Sequence, residues 1–207
     1  MSAARLEARK IPRQPRSQAT VEAIVEAAAR VLEAAGPAGF NTNAVARRAG
    51  VSVGSLYQYF PGKQALIAEL SRRNAEAVLG GLAEVAAQTA GRPVLERLRG
   101  FVQFAIAQQS ARPKLSRVLD QLEEGLALPT DERATAPAIL ALLAPVLAAG
   151  GADARPEALA MIAGDCLALV RALIDRALDA GPAACLGLEE RMIGALSGYL
   201  NGAGVAV

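Results

Sequence analysis

From Val21 onward apolar residues recur at helical spacing, through Ile24, Val25, Ala28, Val31, Leu32 and Ala35, with Glu22, Glu26, Arg30 and Glu33 between them. That period predicts an amphipathic first helix beginning near Ser17 or Thr20. Gly36, Pro37 and Gly39 predict its end. Two short helical segments follow, Thr42 to Ala49 and Ser52 to Phe60, parted only by Gly50 and Val51. Pro61-Gly62 then opens a longer helix over 63–88, in which Gly80-Gly81 are candidate weak points. Further along, prolines and glycines cut the chain into helix-length pieces near 92–110, 114–126, 131–149, 156–180 and 187–202. No segment alternates as a strand would. The expected fold class is all-α, with about nine helices.

Composition narrows the chemistry. The 207 residues are 53% hydrophobic and 20% charged, enough apolar surface to fold and too much for intrinsic disorder. Aromatics are only 3%, so the core is expected to be built of closely packed Ala, Leu, Val and Ile. There is no His, which excludes a Ser-His-Asp site and removes the commonest zinc ligand. Cys166 and Cys185 are too few and too far apart for a disulfide scaffold; both are expected as small buried hydrophobes in a reducing compartment. Arg171, Asp175 and Arg176 interrupt the longest apolar run, and the N-terminus is charged where a signal peptide would be apolar. The expectation is a soluble cytoplasmic protein without metal, cofactor or membrane partner.

Charge is unevenly distributed. Residues 1–64 hold nine Lys and Arg against four Glu, a net +5, while the remainder holds 13 against 16, a net −3. A nucleic-acid-binding end joined to a body with another task would look like this, and so would a merely solvated basic tail. Residues 1–16, with Pro12, Pro15 and five basic residues, read as a flexible arm that either lies along phosphates or makes no contact.

Residues 42–61, TNAVARRAGVSVGSLYQYFP, meet the physical requirements of a helix-turn-helix. Ala46 is small where two helices must cross closely, and Gly50 tolerates the left-handed backbone of the turn. Val45, Ala49, Val51, Leu56 and Phe60 have the spacing to close the angle from both sides. Thr42 and Ser52 stand at the two helix starts as candidate N-caps. The same stretch contains Gly50-Val51-Ser52-Val53-Gly54, a match to the G-x-S-x-G nucleophile elbow. That motif needs a preceding strand and a His partner, so Ser52 reads as a cap. No phosphate-binding loop or catalytic cluster is present, and an enzyme is not expected.

Gly39-Phe40, Thr42, Val45-Ala46, Ala49-Gly50-Val51-Ser52, Gly54-Ser55-Leu56-Tyr57, Tyr59-Phe60-Pro61, Lys63 and Ala65-Leu66 together resemble the DNA-binding domain of the TetR family of bacterial transcriptional regulators, over about residues 18–78. The resemblance implies a three-helix reading head at 17–64, extended to about 78 by a linking helix, and an effector-binding and dimerisation domain at 65–207. It implies a dimer that binds a palindromic operator on double-stranded DNA, most often as a repressor, until a small-molecule effector releases it. Carried over by position, Val53, Gly54, Ser55, Gln58 and Tyr59 would lie near base edges or sugar-phosphate. Tyr57 and Lys63 would grip phosphates, and Thr42 and Asn43 would meet backbone or bases. Gln58 is the best candidate for hydrogen bonding to a base, through its amide to adenine. For Tyr57 and Tyr59 packing in the core is the competing assignment.

In the second part, the piece at 156–180 is apolar on more than one face and the piece at 187–202 carries a stripe of Leu188, Met192, Ile193, Leu196, Tyr199 and Leu200. Two neighbours are needed, either within one chain or as a four-helix homodimer interface. Phe101, Gln103, Phe104, Gln108, Arg117, Gln121, Asp165 and Cys166 are the only candidate effector-site residues, and for each the ordinary assignment to core or solvated surface is the favoured one. A helical protein that binds a partner without recognising DNA remains the alternative function.

Overall fold

The computed structural model describes residues 14–125, 135–153 and 155–207, and of 120, 121 and 123–125 the backbone alone. Residues 1–13, most of the basic arm, lie outside the described residues. The chain divides into two compact units, the first of residues up to Glu76 plus a segment from Lys114, the second of Ala77–Pro113 and Ala134–Val207.

The first unit is built on α1 (Pro15–Gly39), which starts earlier than the periodicity suggests. Gln14 and Ser17 form a reciprocal capping box ahead of the first apolar residue, and Pro15 occupies the first turn. The helix is broken at Gly36, where φ is 62°, and a last turn through Pro37 ends at Gly39. Helices α2 (Thr42–Ala49) and α3 (Val53–Tyr59) follow, then α4 (Lys63–Gln88). Ile24, Leu32, Val45, Leu56, Phe60 and Leu66 are the buried centre of this unit. Arg73 straps α4 to α1: its guanidinium donates to Glu69 at 2.7 Å and to Glu22 at 2.8 Å. Burial pushes the Glu69 carboxyl up, but the hydrogen bonds from Arg72 and Arg73 outweigh it and hold the group below its ordinary value.

A segment from the second part of the sequence belongs to this core. Helix α6 (Pro113–Gly125) carries Leu115, Val118, Leu119 and Leu122 on one stripe, and Leu119 is buried among the apolar residues of the first unit. Residues 114–126 are expected in the second domain from the sequence, and in the fold their apolar stripe packs with the first compact unit. The stripe shows that α6 needs a partner, and only the fold shows which one.

The second unit comprises α4 from residue 77, α5 (Val94–Ala111), α7 (Thr135–Ala149), α8 (Pro156–Ala180), α9 (Pro182–Cys185) and α10 (Leu188–Gly202). α7 packs on α8, and α10 packs on both α5 and α8. Leu98, Val102, Val146, Leu147, Ala163, Met192 and Leu200 form its centre. Arg99 of α5 pairs with Glu189 and Glu190 in the first turn of α10, where carboxylates also complement the helix dipole. The C-terminal tail is tied back by Ala206 N–H, which donates to the Gly150 carbonyl at 2.7 Å. The described residues form ten helices rather than about nine; the extra one is the single turn α9. Cys166 is buried as expected, and burial together with the neighbouring Asp165 pushes its thiol up to about 11. Cys185, on α9, is exposed, because that turn lies on the surface between α8 and α10. No helix among the described residues is long and apolar enough to cross a membrane.

Gly80-Gly81 do not interrupt α4. Instead Gly81 lets α5 approach: a Cβ there would stand 2.1 Å from Cε2 of Phe104, whereas one on Gly80 would meet nothing within 4 Å. Gly80→Ala is therefore expected to stabilise the protein by about 0.5–1 kcal/mol through helix propensity. Gly81→Ala sets the same gain against an overpacking cost of about 1–3 kcal/mol and is expected to be neutral or destabilising. Urea denaturation of the two single variants measures the difference.

Candidate nucleic-acid interface

The angle between α2 and α3 is closed by backbone geometry. Gly50 takes the left-handed conformation, φ 69° and ψ 26°, which a Cβ would strain. Its N–H points back to the Arg47 carbonyl at 3.3 Å, and the Val51 N–H donates to Ala46 at 3.0 Å, so the last turn of α2 is satisfied as the chain reverses. Ala46 is 1% exposed and Val45 and Leu56 are completely buried, which fixes both helices on the core. Ala49 and Val51 are half-buried against the same cluster.

Ser52 caps α3 as expected, its Oγ accepting from the Ser55 N–H at 3.0 Å and lying 2.8 Å from the Ser55 hydroxyl. The cap of α2 is Asn41, not Thr42: Asn41 Oδ1 accepts from the Ala44 N–H at 2.9 Å. Thr42 is the first helical residue, and its hydroxyl lies 3.3 Å from that of Tyr57. Asn41, followed three residues on by an N–H that it can satisfy, is a legible signal that the neighbouring Thr obscures.

The candidate residues divide by environment. Asn43, Val53, Gly54, Tyr57, Gln58 and Lys63 are exposed, with Val53 at 38% and Tyr57 at 41%. Val53 and Tyr57 are large apolar side chains for a surface, and they lie together on one short helix. Ser55 and Thr42 are half-buried and held by the hydroxyl pairs above. The Tyr59 ring is half-buried and packs against the core, so it serves the inner side of α3. Lys63 is the first residue of α4, where free backbone N–H groups and the dipole favour an anion. From residue 34 to residue 68 the sequence has no Asp or Glu and three cations, Arg47, Arg48 and Lys63. The surface around α3 therefore has no carboxylate of its own segment to repel phosphate.

The effector-site candidates fall in different environments. Phe101 and Cys166 are buried in the core of the second unit, with Phe104 half-buried against it. Gln103 is exposed and donates to Glu189 at 3.2 Å. Gln108 is half-buried on α5. Asp165 is exposed and accepts a hydrogen bond from the Tyr199 hydroxyl, which raises the tyrosine to about 12, with burial adding to the shift. Arg117 lies on α6, with the first unit. The Gln121 side chain lies outside the described residues. Among the described residues no group of three or more Cys, Asp or Glu is placed to hold a metal ion.

A short angled helix pair on an all-helical core, with one side of its second helix exposed and no carboxylate nearby in sequence, has the form of a helix-turn-helix reading head. Similarity to known proteins agrees. Residues 24–70 match the model for bacterial regulatory proteins of the tetR family, and residues 93–200 match that for the tetracyclin repressor-like C-terminal domain. The chain belongs to the TetR family. Among solved structures it is similar to a TetR-family transcriptional regulator from Streptomyces coelicolor, at 23% identity and TM-score 0.66, covering 89% of this chain and 99% of that one. A putative transcriptional regulator from Pseudomonas aeruginosa PAO1 aligns with TM-score 0.71 at 21% identity, covering 92% of each chain. SmeT, the repressor of the Stenotrophomonas maltophilia multidrug efflux pump SmeDEF, aligns with TM-score 0.64 at 19% identity, covering 87% of this chain and 88% of that one. No curated protein matches the sequence.

Two substitutions test the local geometry. Gly50→Ala forces a Cβ into the left-handed region and is expected to cost about 1–2 kcal/mol. Ser52→Ala removes the cap and is expected to cost about 1 kcal/mol. Chemical denaturation of both variants gives these values directly.

Proposed function

We propose that this protein is a repressor that binds a palindromic operator as a homodimer and is released by a small-molecule effector. The observation that carries the reading is the exposed edge of α3, which presents Val53, Gly54, Tyr57 and Gln58 to solvent on a buried scaffold. In the major groove, Gln58 pairs its amide with a base edge, adenine being the best match, while Val53 and Gly54 lie against a thymine methyl or sense groove shape. Ser55 contributes from the half-buried side of the same helix, and Tyr59 holds α3 to the core at the edge of the sugar-phosphate. Tyr57 and Lys63 take phosphates, joined by Thr42 and Asn43 at the start of α2. Repression is the action named for SmeT, and that likeness supports it here. A bacterial regulator of this kind works in the cytoplasm, where its DNA is.

The homodimer reading rests on α8 and α10. Small residues recur every four positions as Gly164, Ala168 and Ala172 on α8 and as Gly194, Gly198 and Gly202 on α10. A Cβ on any of these glycines would meet nothing within 4 Å, which leaves room for a second helix pair to approach closely. The Asp165–Tyr199 hydrogen bond joins α8 to α10 and sets that pair before it meets its copy. The effector is proposed to bind in the second unit, where Phe101, Phe104 and Cys166 contribute apolar surface.

Duplexes selected from a random pool by the purified protein test the DNA reading. Lys63→Ala is expected to weaken binding about equally on all of them and to lower the salt slope by about 0.9 for each phosphate released, about 1.8 for a dimer. Gln58→Ala should relax preference at one position, losing about 1–3 kcal/mol of discrimination there. Both variants binding every duplex as the parent does would overturn the assignment of α3. Gly198→Leu, on a face open in the single chain, should convert the dimer to monomer in analytical ultracentrifugation while leaving the helical circular dichroism unchanged. A parent that sediments as a monomer would contradict the dimer.

A further inference from the structure

Helix α2 holds two arginines and no acid, and neither arginine has an ion-pair or hydrogen-bond partner among the described residues. Elsewhere in the first unit Arg30, Arg72 and Arg73 are each held by a carboxylate, at 2.7 to 2.8 Å. The difference follows from sequence, since Glu33 and Glu69 are the acidic residues flanking a stretch that has none. A pair of exposed guanidiniums at the end of a helix has an ordinary role in complementing the dipole. Position separates them. Arg47 is four residues from Asn43, so the two share one outward face of α2, opposite the buried Val45. Arg48 is about 100° further round the helix. Four residues advance about 6 Å along α2, comparable with one or two phosphate steps of about 3.4 Å per strand.

We infer that Arg47 is a further DNA contact, its guanidinium gripping a backbone phosphate beside the one approached by Asn43, while Arg48 only complements the end of α2. The inference rests on the regulator reading and extends the interface from α3 and the start of α2 along the length of α2. Because arginine meets a phosphate through two parallel N–H groups, the contact adds orientation as well as charge. It carries no sequence information, so it strengthens binding to every duplex alike.

The test uses the full chain and its Arg47→Ala, Arg47→Lys and Arg48→Ala variants. The probes are a duplex recovered by selection and a mixed-sequence duplex of equal length, titrated by fluorescence anisotropy over a range of sodium chloride concentrations. Arg47→Ala is expected to reduce the slope of log K against log salt by about 0.9 for each phosphate left without its guanidinium, and by about 1.8 for the two phosphates that a dimer would leave bare. The reduction should be equal on both probes, with preference between them unchanged. Arg47→Lys should keep the slope, and Arg48→Ala should match the parent. A role confined to the helix dipole would alter the melting temperature of Arg47→Ala and leave its slope alone. An unchanged slope overturns the inference and spares the regulator reading, as does equal flattening by Arg47→Ala and Arg48→Ala, which would mark diffuse charge. A parent that binds neither probe overturns both.

Discussion

One backbone turn governs the functional surface. With Gly50 in the left-handed region, α2 ends abruptly and α3 starts only three residues later, so the two short helices meet at an angle over Ala46. Neither helix is long enough to be stable alone, and both depend on tertiary burial. Val45, Leu56 and Phe60 supply it from one side of the angle, which leaves the other side of α3 in solvent. The exposed edge proposed to read DNA is thus the complement of the face that packs. Changing the turn would move every candidate contact at once.

The scaffold under that turn is held by apolar packing and by charge. α1, α4 and α6 share one core with the reading head, and Arg73 joins α1 to α4 through Glu22 and Glu69. Placing α6 in this core means that a segment distant in sequence bears on the packing of the DNA-binding unit. The second unit encloses its own apolar centre and keeps small-residue faces on α8 and α10 open. The two units differ in the faces they leave exposed: polar and cationic around α3 in the first, small and closely approachable on α8 and α10 in the second.

Most helices are legible because their apolar periods are strong and their ends carry Pro or Gly. Helix α4 is expected at 63–88 and is found at Lys63–Gln88, since Pro61-Gly62 and the apolar run leave little choice. The start of α1 lies at least two residues before the expected one because Gln14 and Ser17 form a capping box that lies outside the apolar period. Thr42 is the expected cap of α2 and Asn41 is the actual one, a difference of one residue of register. The partner of α6 is beyond reach of the sequence, since an amphipathic stripe says only that a face must be covered. Gly81 reads as a weak point because its role is steric and involves Phe104, 23 residues away in sequence. Most candidate DNA contacts are legible as positions on α3, whereas the effector candidates come from apolar runs in which no spacing marks a shared site.

The most direct measurement of the central claim is a hydroxyl-radical footprint of the protein on a selected duplex. Two exposed α3 edges presented by a dimer should protect two patches on one face of the DNA, separated by about one helical turn, roughly 34–36 Å. Substituting Gly50→Val, which distorts the turn, should erase both patches together. A single patch, protection spread evenly around the duplex, or a footprint that survives the Gly50 substitution would contradict the account.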